Sequence, residues 1–535
     1  MATENSKLFY NGKIFTGSNQ TKTIDTILIE KDKIKWLGCK SEGLPPAAEN
    51  SLKVDLKGKR VIPAFIDSHM HGLYLARDSK KIACTPPLVK SIVDIQNEVM
   101  KRAKKLEPGQ WIEGWGYDES KLAEGRNPTR FDLDQATTDH PVVITRNCTH
   151  IAVVNSKALE LLEIDETTPE PVGGVIEKNH NGRLTGVFKE IGKDFLFDRL
   201  PAKSIEEDAS LLADFSEKLF SKGITTITDS LARKYPVDYY QIYQEAIKKG
   251  LKQQVILYYK WRDLIHSPEL PPDSWKPDQQ LSIGGVKIIG DGSIAGKTAW
   301  LSQPYLGQRS ETGIVTTTEA ELAAAADFAR ENNLQLIVHA MGDKTIDLVI
   351  DHFYQEPGWL PEIPSLRIEH LTLPSTEALE KAKEIDIAFN SQPIFIYAEI
   401  ESYLKNFGQE RTLKSYPFRD ILNQGHELAF SSDAPATAWA DPANPFYGIE
   451  SAVTRKAYEG TDTGQDQTLS IEEAVKLYTE VPARITGLKN SGRLAPGYYG
   501  DFLILDRDIF EIEPDSIGQT EVEATYYRGE KVYQR

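Results

Sequence analysis

The feature that most constrains the fold is a regular alternation of helical and strand segments after residue 200. Helical periodicity over 204–223 ends at Gly223, and an apolar, β-branched run follows over 224–229. Further strands of this kind are predicted at 253–259, 286–292, 334–340, 366–371, 387–393 and 428–434. Nearly continuous apolar strands separated by helices are typical of a parallel sheet whose two faces are both covered.

An earlier apolar run, VIPAFID at 61–67, supplies an eighth strand. Eight parallel strands with intervening helices match a TIM-type (β/α)8 barrel better than an open Rossmann sheet. No GxGxxG motif follows any of these strands, so a dinucleotide site has no local support. The predicted fold class is therefore α/β, with a barrel over 61–484.

The two chain ends have a different sequence pattern from the barrel. Short alternating strands joined by Gly or Asn turns occupy the first 60 residues, and YYGDFLILDRD and VEATYYRGEKVYQR repeat that pattern near the C-terminus. We therefore predict a small β-sandwich domain built from 1–60 and 485–535. Residues 73–203, after the first barrel strand, are too many for a loop and are predicted to fold as an insertion that forms a lid over the active site.

Charge and composition narrow the set of partners. A net charge of −17 argues against nucleic acid and against an anionic membrane surface, because both require a basic face. No stretch approaches the roughly 18 apolar residues of a membrane span, and the N-terminus lacks a signal-peptide pattern. Three scattered cysteines suit a reducing compartment, so we expect a cytoplasmic protein that acts on a small molecule.

Polar residues lie at the carboxyl-terminal ends of several predicted strands. His69 and His71 follow the first strand, and because they are two residues apart their side chains are predicted to share one face. His339 ends the fifth strand, His370 the sixth and Asp433 the eighth. A core histidine or a helix N-cap would explain one of them alone. Their convergence on the carboxyl-terminal rim of one barrel predicts a metal site instead.

The predicted ligand types also indicate a chemistry. Imidazole and carboxylate without thiolate suit zinc as the favoured divalent ion, and also iron or manganese. An ion with one position open to water lowers the pKa of that water toward neutrality and supplies hydroxide. Asp433 is predicted to accept the proton as the hydroxide attacks and to pass it to the leaving group.

Seven further motifs surround these residues: GITTITDS, VKIIGDGSIAGKTAWL, IVHAMGDKTID, RIEHL, NSQP, SSDAP and SGRLAPGYYGDFLILD. Together they resemble the amidohydrolase superfamily, specifically its YtcJ-like branch, which includes N-substituted formamide deformylases. The resemblance covers nearly the whole chain. It implies that His69 and His71 bind the more buried ion and that His339 and His370 bind from strands five and six. It also implies that Asp433 is both a ligand and the general base.

Strand four and the insertion contribute further candidates. In many superfamily members a lysine carbamylated by carbon dioxide bridges two ions, and Lys287 lies in the corresponding context GVKIIGDG. The alternative is a plain lysine paired with Asp291 at a site with one ion. His150 in NCTHIAVVNSKAL and Glu190 in GVFKE are candidate substrate-binding residues, together with Asp291. A surface histidine and a solvated helix charge are the alternatives for the first two.

The combined prediction is a metal-dependent hydrolase that cleaves the C–N bond of an amide or an N-substituted formamide. An amino-heterocycle deaminase is an alternative, but deaminases of this superfamily usually place a glutamate after the strand-five histidine. Here AMGDKTID follows His339, with aspartates instead. A non-catalytic binding protein of the same fold is a second alternative, which complete ligand positions disfavour. Superfamily relatives are often dimers, so a homodimer stays open.

Overall fold

The computed structural model describes residues 6–18, 24–119, 121–147, 151–171, 174–200, 203–271 and 279–535. The chain folds as two compact units. The first consists of Met1–Gly72, Leu212–Asp433 and Ala443–Arg535, and the second of Leu73–Leu211 and Ala434–Pro442. No helix among the described residues combines the length and the apolar character needed to cross a bilayer.

The first unit begins with short strands. These are β1 (Ser6–Tyr10), β2 (Lys13–Ile14), β3 (Thr26–Glu30), β4 (Lys33–Gly38), β5 (Leu52–Asp55) and β6 (Arg60–Pro63). Four of them form a sheet in the order β4-β3-β1-β5. The next strand, β7 (Phe65–Met70), opens the barrel.

The second unit contains a six-stranded sheet and short helices. Its strands are β8 (Ile82–Ala83), β9 (Ile112–Tyr117), β10 (Val142–Arg146), β11 (Ile151–Val154), β12 (Gly174–Lys178) and β13 (Leu184–Glu190), in the order β12-β13-β11-β10-β9-β8. The helices of this segment are α1 (Gly72–Asp78), α2 (Ile92–Ala103), α3 (Arg130–Asp134), α4 (Ser156–Leu161) and α5 (Ile191–Phe197). Ile95 and Val99 of α2 pack against Ile112 and Ile144 of the sheet. The predicted insertion thus has its own core, and its role as a lid stays a prediction.

Eight parallel strands form the barrel. After β7 they are β14 (Ile224–Ala232), β15 (Gln254–Lys260), β16 (Leu281–Ile289), β17 (Gln335–Ala340), β18 (Leu366–His370), β19 (Ile387–Ser391) and β20 (Leu428–Phe430). Each strand pairs with the next in chain order, and the amide of Asp433 donates to the carbonyl of His69, 2.7 Å away, where the last strand meets the first. The predicted (β/α)8 barrel is therefore confirmed.

Helices follow the barrel strands and cover them. They are α6 (Ile205–Ser221), α7 (Tyr239–Lys249), α8 (Trp261–Leu264), α9 (Glu319–Glu331), α10 (Asp343–Phe353), α11 (Thr376–Ala382), α12 (Pro393–Ala398), α13 (Ile400–Leu413), α14 (Phe418–Asn423), α15 (Pro445–Thr454), α16 (Ile471–Leu477) and α17 (Glu480–Ile485). Local sequence sets their ends. The Thr318 hydroxyl accepts from the Glu321 amide at the start of α9, and Gly250 adopts φ +117° at the end of α7.

The chain ends complete the first unit. Strands β21 (Phe502–Leu505), β22 (Val522–Tyr527) and β23 (Glu530–Gln534) join a five-stranded sheet in the order β2-β6-β21-β22-β23. Phe9 from the four-stranded sheet packs edge-on against Phe502 and Tyr526 of this second sheet, as expected for the predicted sandwich. The domain boundaries 1–60, 485–535 and 61–484 stay predictions.

One strand prediction was wrong in its extent. VIPAFID was predicted as a single barrel strand, but the structure divides it at Ala64. Residues before that point belong to β6, where Ile62 pairs with Leu503 of the terminal sheet. Residues after it form β7, where Phe65 pairs with Ile224 of the barrel. An uninterrupted apolar run gives no sign that its two halves are buried in different sheets.

Candidate metal centre

The end of the first barrel strand and the segment after the last one meet at a three-residue cluster. His71 Nε2 lies 2.8 Å from Asp433 Oδ1, and His69 Nε2 lies 3.3 Å from the same oxygen. One ligand atom from each of the three side chains lies within 4.8 Å of the other two. Asp433 reaches this position in the left-handed backbone region, with φ +52°, a conformation rare outside glycine and often found at functional sites.

This donor set fits a divalent ion. Two imidazole nitrogens and one carboxylate oxygen around a common point match the ligands of catalytic zinc sites. Burial alone would raise the pKa of Asp433, but His69 and His71 outweigh it and hold the pKa well below its usual range. The carboxylate is therefore ionised at neutral pH, as a metal ligand must be.

The other two predicted histidine ligands adjoin this cluster. His370 Nδ1 lies 4.0 Å from Asp433 Oδ2, and the ring centroids of His370 and His339 are 4.3 Å apart. Burial, assisted by Lys287, lowers the pKa of His339 to about 4. Burial also holds the pKa of His370 well below its ordinary value. Both rings are therefore neutral at physiological pH, which is the form that binds metal.

Lys287 is a buried amine without a hydrogen-bond partner for Nζ in the part of the chain that the structure describes. Burial lowers its pKa to about 8, although Glu369 and Asp433 oppose that shift. Orphaned buried donors are rare in folded proteins, so such an atom calls for an explanation. The alternative of a simple Lys287–Asp291 pair was wrong, because Nζ makes no such contact.

Asp291 is instead held by the loops after strands four and five. Its carboxylate accepts from the amides of Trp300 at 3.0 Å and Gly342 at 2.8 Å. The amide of Met341 at 3.0 Å and the hydroxyl of Thr345 at 2.9 Å complete the set. Since four donors occupy the oxygens, the geometry favours a structural brace, and the predicted substrate contact of Asp291 stays a prediction.

His150 lies outside the described residues. Glu190 ends β13, and its side chain lies outside what the structure describes. Their predicted roles in substrate binding stay predictions.

Sequence reasoning missed a buried charge pair beside the cluster. His69 Nδ1 donates to Glu369 Oε2, and Arg367 Nε donates to the other oxygen of the same carboxylate. Burial favours a higher pKa for Glu369, but Arg367 and His69 hold it far below its usual range. Arg367 also donates to the Ser68 carbonyl at 3.0 Å. The signal was present in the motif RIEHL, where Arg367, Glu369 and His370 follow one another closely.

Comparison with known proteins gives a consistent set of relatives. The model of the amidohydrolase family matches residues 53–533. YtcJ of Bacillus subtilis (strain 168) is 28% identical over 544 aligned residues, which are 99% of each chain. The N-substituted formamide deformylase of Arthrobacter pascens is 26% identical over 540 residues, 99% of this chain and 98% of that one. The crystal structure of an uncharacterized metal-dependent hydrolase from Pyrococcus horikoshii OT3 matches with a TM-score of 0.74 at 29% identity, covering 95% of this chain and 99% of that one.

Proposed function

The chain belongs to the amidohydrolase family, and from that premise we propose that it hydrolyses the C–N bond of an amide or an N-substituted formamide with zinc as its favoured ion. The observation that carries this proposal is the convergence of His69, His71 and Asp433, whose ligand atoms lie within 4.8 Å of one another. The full-length similarity to a formamide deformylase supports the choice of bond.

The ligand geometry is compatible with one ion or two. His69, His71 and Asp433 would hold the first ion, and His339 and His370 would hold a second, with Lys287 as a further candidate ligand. When bound, such an ion polarises the substrate carbonyl and lowers the pKa of a water molecule toward neutrality. The fold contributes the placement of all these side chains at strand ends, the rim where barrel enzymes carry out their chemistry.

Asp433 acts as the general base in this proposal. Its carboxylate takes a proton from the attacking water, whose oxygen forms a bond to the carbonyl carbon. The C–N bond then breaks, and Asp433 returns the proton to the leaving nitrogen. The low pKa of Asp433, maintained against burial by His69 and His71, keeps the carboxylate in the ionised form that accepts a proton.

Lys287 is proposed to carry a carbamate. Only a neutral amine adds to carbon dioxide, and a pKa of about 8 leaves a substantial neutral fraction of Lys287 near physiological pH. The nitrogen forms a bond to the carbon of carbon dioxide and loses one proton to solvent, which leaves an anionic carbamate. Its two oxygens would supply ligands at a place where the buried Nζ has no hydrogen-bond partner among the described residues.

Metal analysis combined with an assay on a simple N-formyl amine tests this function. We expect the purified protein to contain a divalent ion and to release formate, and a chelator to remove both properties reversibly. A protein that binds the ion but releases ammonia from an amino-heterocycle, and no formate, would be a deaminase instead. A protein that takes up no ion would contradict metal-dependent hydrolysis altogether.

A further inference from the structure

We propose that barrel strand seven, β19 with the adjoining Gln392, positions the metal ligands: Asn390 and Gln392 each orient a ligand histidine contributed by another strand. This inference rests on the proposed function, because it concerns how the same metal site is held. Strand seven supplies none of the predicted ligands. Its motif NSQP nevertheless places two amide side chains two residues apart, and both are completely buried.

Asn390 acts on His69 through Glu369. Asn390 Nδ2 donates to Glu369 Oε2 at 2.8 Å, and His69 Nδ1 donates to the same oxygen. On its other side, Asn390 Oδ1 accepts from the Ser68 hydroxyl at 3.2 Å. Asn390 therefore fixes the carboxylate that receives the Nδ1 proton of His69, and it also contacts the strand that carries His69.

Gln392 acts on His370 directly. Its Oε1 accepts from His370 Nδ1 at 2.7 Å. Its Nε2 donates to the Ser431 hydroxyl at 2.9 Å, so the orientation of the amide is determined from both ends. The intervening Ser391 donates to the carbonyl of His370 at 2.8 Å. Strand seven thus holds both the ring and the backbone of this histidine.

These contacts select one tautomer of each ring. With the proton on Nδ1, the lone pair of His69 and of His370 is on Nε2, and the His69 Nε2 atom faces Asp433 at 3.3 Å. His339 is held in the opposite sense, because its Nε2 donates to the Gly292 carbonyl at 3.0 Å and leaves Nδ1 as the acceptor. Hydrogen-bond partners of this kind orient metal-binding histidines, and their loss typically lowers metal affinity about 10–100-fold.

Gln392→Leu and Asn390→Leu test the proposal, because leucine neither accepts nor donates hydrogen bonds. It has the branched shape of asparagine and one side-chain heavy atom fewer than glutamine. Gln392→Glu is the conservative variant, since it keeps an oxygen for His370 Nδ1. Gln253→Leu is the matched control. Gln253 is an equally buried glutamine that forms hydrogen bonds with Ser216. It directly precedes strand three and so lies at the opposite end of the barrel from the cluster.

Two readouts separate positioning from general stability. The affinity for Zn²⁺ is measured by competition with a chromophoric chelator, and the Co²⁺-substituted proteins are compared by visible absorption. We expect both strand-seven leucine variants to bind Zn²⁺ about 10–100-fold more weakly and to show altered Co²⁺ spectra. Gln392→Glu should retain parental affinity. Gln253→Leu should lower the thermal midpoint without changing either metal readout.

Parental affinity and spectra in folded Gln392→Leu and Asn390→Leu would overturn the positioning role and leave the proposed function intact. A parent protein that binds no divalent ion would overturn both. If Gln392→Leu does not fold, Gln392→Asn, which keeps an amide but shortens its reach, replaces it with the same expected and contrary results. If Asn390→Leu does not fold, Asn390→Ala replaces it in the same way.

Discussion

Asp433 and Asp291 each follow a barrel strand, and both carboxylates are buried, yet their pKa values shift in opposite directions. Burial raises the pKa of Asp291 to about 6, even with three amides and a hydroxyl donating to it. Asp433 is buried as well, but two imidazoles hold its pKa far below the usual range. The hydrogen-bond donors around Asp291 only partly replace lost water, whereas the electrostatic interaction of Asp433 with His69 and His71 outweighs its burial.

The opposite pKa shifts suit two different roles, proton transfer for Asp433 and a structural role for Asp291. Asp291 connects the loops after strands four and five, which approach so closely that a Cβ on Gly342 would lie 2.0 Å from the Trp300 carbonyl oxygen. Its Oδ1 also lies 3.4 Å from His339 Nε2. We therefore expect Asp291 to support His339, and Asp433 to act on water and substrate.

The largest expected effect that follows from this difference is on turnover in Asp433→Asn. The amide keeps the volume and one ligand oxygen but cannot take up the proton, so we expect kcat to fall about 10²–10⁴-fold. Metal content, measured on the same preparation, should be retained. Full activity in this variant would show that Asp433 does not transfer the proton. The proposed difference in role between the two aspartates would then be wrong.

Asp291→Asn should affect metal affinity more than the chemical step. An amide NH₂ cannot accept from the backbone, so at least one of the amides that now reach Asp291 loses its acceptor, at a cost of about 1–3 kcal/mol. We expect a lower thermal midpoint and a loss of Zn²⁺ affinity of about 10-fold through His339. A raised KM with parental metal affinity would instead support the substrate contact predicted from the sequence.

The pH dependence of stability should differ in sign for the two residues in metal-free protein. The pKa of Asp291 is about 6 when folded, above its ordinary 3.8. Its contribution to stability is therefore present below about pH 4 and is lost as pH rises through 6, a change of about 3 kcal/mol. The folded pKa of Asp433 is below 3.8. Its contribution is therefore present above about pH 4 and is lost only at lower pH.

Urea unfolding of the chelator-treated proteins measures this difference. For Asp291 the measurement covers about pH 4 to about pH 6.5, a range that includes the interval between its ordinary and its folded pKa. Over that range Asp291→Asn should gain stability relative to the parent as pH rises, because the variant has no carboxyl group to deprotonate. Removing Asp433 also removes a partner that raises the pKa of His69, so Asp433→Asn is compared with the parent below about pH 4, where the variant should lose less stability as pH falls. A constant difference between Asp291→Asn and the parent over the higher range would contradict the raised pKa of Asp291.

The sequence predicted the barrel, the rim and candidate roles for residues on it, but not the hydrogen-bond partners of those residues. Apolar strands such as 366–371 alternate with helices clearly enough to locate His370 at a strand end. The periodicity of the chain does not reveal which partners a buried side chain has. The motifs VKIIGDG and SSDAP do not show that Asp291 accepts four hydrogen bonds whereas Asp433 contacts two imidazoles, because these contacts depend on the packing of distant loops. The sequence did not predict the positioning role of Asn390 and Gln392 for the same reason, because their partners lie on other strands.

Lys287→Met tests whether a carbamate on Lys287 adds a third acidic group beside the two aspartates. Of the predicted effects, this one is expected to be the smallest. If Lys287 carries a carbamate, protein supplied with ¹³C-bicarbonate should show a carbamate resonance that the variant lacks, and metal content should fall from two ions to one. Lys260→Met is the control, because Lys260 pairs in register with Lys287 on the neighbouring strand and should leave both measurements unchanged. Equal metal content in parent and Lys287→Met, without a carbamate signal, would establish a plain lysine and leave Asp433 as the one acidic ligand of a single ion.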